Sequence, residues 1–156
     1  MSLTTAQIAI LRADILAHSA LVQYAADARP NMIVAAYNSP AAPTFRVWRT
    51  DVKPSDIATA FVWTEIDALA AGKARIWEWM RLALVLNCGI ANIRQGLNDA
   101  FSATTSTKLA VLAVIKRDAT RAEELFATGT GSDGAPGTMT FVGNVTDMDV
   151  ELALKG

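Results

Sequence analysis

The segment from Thr105 to Gly143 constrains this chain more than any other: an amphipathic helical pattern runs straight into TGTGSDGAPGTMTFVG, a glycine-rich connection feeding a short alternating stretch. Gly129, Gly131, Gly134, Pro136 and Gly137 forbid regular structure and predict a loop over 128–137. Before it, Leu109, Leu112, Ile115, Ala119, Ala122 and Phe126 recur at helical intervals, which predicts one long helix with that stripe buried. After it, Met139, Phe141 and Val145 alternate with Thr138, Thr140 and Asn144, a strand pattern over about 138–145. The natural partner lies at about 44–50, where β-branched and aromatic residues sit between the NSPAAP loop and Pro54. These two strands make a small antiparallel β-ribbon. A lone ribbon is marginal in water, so it is expected to pack on helices.

Helical spacing accounts for most of the rest. Thr4 and Gln7 have the separation of a capping box, and Ile8, Leu11, Ile15 and Leu16 follow on one face, so a first helix is expected over 5–17. A second short helix spans 19–26 and is broken at Arg29-Pro30, because a residue before proline avoids helical geometry. Residues 31–37 add a further turn or two. Pro54 suits the first turn of a short helix, and Thr64 with Asp67 a cap for a longer one bent near Gly72. From Lys73 to Asn87 the apolar residues cover so much of a helical circumference that this helix should be central or lie between subunits. Gly89 closes it, Ile90, Ile93, Leu97 and Phe101 carry the next, and Thr146 with Asp149 caps a last one to about Leu154. The fold class is mainly α: a helical bundle with a small β-ribbon and a glycine-rich loop, in a single domain over 1–156.

Composition narrows the function. A chain of 156 residues, 52% hydrophobic and 19% charged, can bury its own core without a staple, and its apolar surplus points to self-association. Lys and Arg total 14 against 15 Asp and Glu, so no long-range field draws the molecule to nucleic acid or an anionic membrane. Any nucleic-acid contact is incidental. The N-terminus lacks a basic segment ahead of its apolar residues and reads as a helix, not a secretory signal; the run Leu82–Leu86 is far too short to span a membrane. Cys88 stands alone in LVLNCG, the setting of a buried thiol in a reducing compartment.

Chemistry-bearing motifs are sparse. GTGSDGAPG invites comparison with a phosphate loop, but such a loop needs a strand before it and Gly-Lys-Ser/Thr opening a helix after it. Here a helix precedes, a strand follows and lysine is missing, so the segment reads as a connection or an arm that orders on a partner. His18 is the only histidine and falls at a helix end, where an imidazole is favoured without any catalytic role. The carboxylates are dispersed. No nucleophile, base and orienting group come together, so no catalytic, cofactor-binding or metal-ligating residue is assigned and no turnover is expected. A small hydrolase or nucleic-acid-processing accessory is the alternative.

The residues that invite attention are those of interfaces. Arg46 and Arg49 flank Trp48 on the expected strand, and arginine and tryptophan dominate interface hot spots. Trp77 and Trp79 are two apart and cannot share a helix face, so at least one should be peripheral. Lys116, Arg117 and Arg121 fall within one helical arc beside Asp118, Glu123 and Glu124, a self-neutralised face that offers Arg117 and Arg121 as contacts. Ser132 and Asp133, at the tip of the glycine loop, complete the interface candidates.

In NSPAAPTFRVWRTDV (38–52) and KRDATRAEELFATGTGSDGAPGTMTFVGNVT (116–146) the chain resembles a family of small proteins encoded by tailed bacteriophages and prophages. That resemblance implies a virion structural protein, and the mainly helical outline is similar to the head-to-tail adaptor that forms an oligomeric ring in the neck beneath the portal. It further implies a homo-oligomer, contacts with portal, tail or neck components, and a place in the virion after assembly in the host cytoplasm. A tail, baseplate or capsid-associated protein is the alternative virion role.

Overall fold

The computed structural model describes Leu3–Gly156. Along the chain run α1 (Thr5–Ala17), α2 (Ser19–Ala26), α3 (Pro30–Asn38), β1 (Arg46–Trp48), α4 (Pro54–Ala58), α5 (Trp63–Asp67) and α6 (Ala71–Met80). There follow α7 (Ala91–Ala100), α8 (Ser106–Val114), β2 (Lys116–Asp118), α9 (Arg121–Leu125), β3 (Ala127–Thr128), β4 (Thr138–Met139) and α10 (Asp147–Lys155). The fold is mainly α, as the periodicity predicts, and carries two small β-ribbons. Where the sequence is read as one domain over 1–156, packing gathers the chain into two compact units, 1–46 with 118–156 and 47–117.

The first unit is built on helices with strong local start signals. Thr4 Oγ1 accepts the Gln7 N–H at 3.3 Å while Gln7 Oε1 accepts the Thr4 N–H at 3.0 Å, the reciprocal bonds that open α1. His18 ends that helix in an extended conformation, its N–H returning to the Ile15 carbonyl, and the axis turns through 101° into α2. Pro30 opens α3 where a missing N–H costs nothing. At α10, Asp149 accepts the N–H groups of both Thr146 (3.0 Å) and Leu3 (3.1 Å), which fastens the start of the chain to the last helix. α1 packs on α2 and α10, and α3 on α2, α9 and α10. Leu11, Ile15, Ile33, Tyr37, Phe126, Phe141 and Val150 fill the space between them. Each such side chain contributes about 1.5–3 kcal/mol on burial. Leu16, expected on the buried face of α1, is exposed instead.

The second unit packs α6 against α7 and α4 against α8 around Val52, Ile57, Leu86, Leu97, Phe101, Val111 and Ile115. Helix α8 lacks a cap of its own; its first N–H groups are taken by Glu65 of α5, whose carboxylate accepts from Thr107 (2.8 Å), Ser106 (3.1 Å) and Thr105 (3.3 Å). That interaction replaces the expected Thr64–Asp67 cap, since α5 starts at Trp63 and ends at Asp67.

Three expectations are corrected. The long helix drawn through Leu109–Phe126 divides into α8, β2 and α9, because Thr120 and Glu123 form a second start signal, Thr120 Oγ1 accepting the Glu123 N–H at 3.2 Å. Lys116 and Arg117 therefore lie on a strand and share no helical arc with Arg121. The helix drawn over 73–87 stops at Met80; Leu86 leaves it to pair with Val52, the Leu86 N–H meeting the Val52 carbonyl at 2.7 Å. Lastly, the strands at 44–50 and 138–145 do not form one ribbon. β1 pairs with β2, flanked by Ala119 N–H to Phe45 O (2.9 Å) and Arg49 N–H to Ile115 O (2.9 Å), bonds whose opposed numbering marks an antiparallel pair. β4 pairs antiparallel with β3, Ala127 opposite Met139 and Thr128 opposite Thr138, so the glycine loop is the turn of a hairpin.

Candidate interaction surface

The glycine loop has its partner within the first unit. The Arg46 N–H bonds to the Gly131 carbonyl at 2.7 Å and the Gly137 N–H to the Arg46 carbonyl at 2.8 Å, so the loop folds across the residue preceding it on β1's edge, Phe45. The Phe45 ring fills the space that a side chain at Gly131 or Gly137 would need, and Gly131 holds φ at +66°. Ser132 Oγ accepts the Ala135 N–H at 3.1 Å and shapes the tip. The Arg46 guanidinium meets Asp118 at 3.2 Å and Asp133 at 3.8 Å. Of the interface candidates, Arg46, Ser132 and Asp133 are thus brought together.

Trp48 and Arg49 belong to the second unit. The Arg94 guanidinium lies 4.7 Å from the Trp48 ring centroid and is held there by the Cys88 and Gly89 carbonyls, at 2.7 and 2.8 Å from Nη1. Arg49 turns inward: it donates to the Val114 carbonyl (3.2 Å) and meets Asp51 (3.3 Å) and Asp56 (3.5 Å), joining the end of β1 to α4 and α8. Arg117 is half-buried on β2. Beside Trp48 a narrow slot of about 30 Å³ opens between α7 and α8.

The two tryptophans of α6 separate as their spacing requires. Trp77 packs edge-on to Phe61 at 5.3 Å and against Phe101 at 5.6 Å, while Trp79 is 68% exposed. Past the end of α6 the chain keeps its apolar character without a cover: Leu82 is 75% and Leu84 91% exposed, and Val85 and Ile90 are also exposed.

Arg121 sits in a different cleft, of about 530 Å³, in the first unit. Its Nη2 is 3.0 Å from Asp14 Oδ2, and its guanidinium lies 4.9 Å from the Tyr37 ring centroid. Tyr37 donates its hydroxyl to the same carboxylate oxygen at 2.6 Å. Burial and that bond push the phenol well above its ordinary range. His18 Nδ1 is 2.7 Å from the Asp14 carbonyl and 3.6 Å from Oδ1. Asp14 is thus shared among three neighbours, an arrangement that locks α1, α3 and α9 together. Cys88 is buried, and burial raises its thiol to about 11.

Asp14, Tyr37, Glu65, Arg94 and Lys108 were not singled out by their local sequence. Asp14, Tyr37, Glu65 and Arg94 each meet a partner far away in the chain, and Lys108 is placed by the packing of α8 beside α7; no short-range pattern announces such pairs. Comparison with protein-family models, with curated proteins and with solved structures finds no match to this chain.

Proposed function

We propose that this protein is a structural component of a tailed-phage virion, a neck adaptor that assembles into a ring beneath the portal and works by packing, without turnover. The observation that carries this reading is the exposed apolar run from Trp79 to Val85 in the second unit. A ring requires a heterologous interface, in which one patch meets a different patch on the next copy. The first unit offers such a second surface, where Leu16 of α1 and Met148 and Leu152 of α10 are also exposed. A stable contact of this kind buries at least ~1,000 Å² in total.

Sedimentation velocity and native mass measurement of the purified chain test the reading. Closed oligomers are expected, and Leu84→Asp, which puts a charge where the side chain is open to solvent, should shift them toward monomer with the helical circular dichroism unchanged. Mass spectrometry of purified particles should find the chain among their proteins, and antibody labelling in electron micrographs should put it at the neck. A monomer at all concentrations that is absent from particles would overturn the proposal.

A further inference from the structure

The slot beside Trp48 has a shape and a charge that together specify an occupant. Its floor consists of Leu97 of α7, Phe101 just past that helix, Val111 of α8 and Ile115 just past α8, each of them buried. Its volume, about 30 Å³, is that of one or two methyl groups. Sites for metabolites and cofactors run to roughly 300 Å³ or more. The slot therefore admits the tip of a single aliphatic side chain and nothing larger.

The rim is cationic. Arg94, which lines the slot, is held over the Trp48 ring with Nη1 bound to two carbonyls, and that fixes the guanidinium. Lys108 stands on the other side, on α8, and is half-buried. Asn98 adds an exposed amide, and no carboxylate lines the slot. The neighbouring Asp99 is engaged by Gln95 Nε2 at 2.7 Å.

We infer that this slot is a docking socket for an acidic peptide segment that inserts one aliphatic residue between α7 and α8 and sets its flanking carboxylates against Lys108 and Arg94. A preformed apolar socket with a charged rim lets a short segment bind in a defined register, the anchor giving affinity and the rim giving orientation. The inference does not depend on the virion reading, since it rests on the second unit alone and would hold for any acidic partner.

Fluorescence polarisation with labelled peptides of the form Glu-Glu-X-Glu-Glu tests it at low salt on the full chain. Leu, Ile or Val at X should bind at least about tenfold more tightly than Gly, as expected for burying one aliphatic tip. Changing the flanking residues to lysine should abolish binding. Lys108→Glu, a rim change that removes no core atom, should weaken the Leu peptide about fivefold while circular dichroism is unaltered. Equal binding for every X, the absence of binding to all of them, or indifference to Lys108→Glu would each overturn the socket. So would a single-stranded oligonucleotide that binds more tightly than the Leu peptide and shows the same Lys108 dependence.

Discussion

Gly131 lies directly under the ring of Phe45, close enough that no Cβ fits between them, and it does so in a left-handed conformation with φ at +66°. Gly137 faces the same ring, where an added Cβ would stand 2.6 Å from Phe45 Cε1. Two glycines of the loop are therefore required by one aromatic side chain, and the loop's composition follows from packing.

Replacing Gly131 with alanine should accordingly cost about 1–3 kcal/mol, from the left-handed backbone and the clash with Phe45 combined. Gly134, which has open space around it and an ordinary φ, provides the control: Gly134→Ala should be close to neutral. Urea denaturation of the two variants checks the difference. Equal stability for both would mean that the loop does not close on Phe45.

What could be read from the sequence was local. Thr4 with Gln7, Pro54, and Thr146 with Asp149 announce α1, α4 and α10 because each signal lies within four residues of the helix it starts. Thr120 with Glu123 is the same kind of signal, but the apolar stripe running through Ala119 and Ala122 overrode it, and one helix was drawn where two helices and a strand occur. Lys116-Arg117-Asp118 has no strand propensity of its own; it is extended because β1, some seventy residues earlier, supplies the partner. The interface candidates divide along the same line. The separation of Trp77 from Trp79 follows from helix geometry alone, whereas the inward turn of Arg49 onto Val114 depends on a packing partner that no local pattern reveals.

Cys88 makes a sharper chemical prediction. With its thiol raised to about 11 from an ordinary 9, the reactive thiolate at pH 8 is about a hundredfold scarcer than for a free cysteine, and the buried sulfur is shielded besides. Native protein should therefore react with a thiol-disulfide reagent slowly or not at all, and stoichiometrically once denaturant is added. Rapid labelling of the folded chain would place Cys88 at a reactive site after all.

Glu65 ties a helix to its neighbour through a titratable group, so its effect must depend on pH. Chiefly through the Thr107 N–H, with Ser106 and Thr105 adding to it, the carboxylate is stabilised and its pKa falls from 4.5 to about 2. A group that binds its proton more weakly in the folded state stabilises the fold above its unfolded pKa and loses that contribution as pH falls through the folded one. The contribution is complete above about pH 5 and disappears between pH 4.5 and about 2. Glu65→Gln keeps one acceptor for the α8 N–H groups but never carries the charge, so it should melt below the parent protein at pH 7. The gap should narrow steadily toward pH 2, and thermal unfolding followed by circular dichroism across that range measures it. A difference in melting temperature that stayed constant with pH would show that the carboxylate does not hold the start of α8 by its charge.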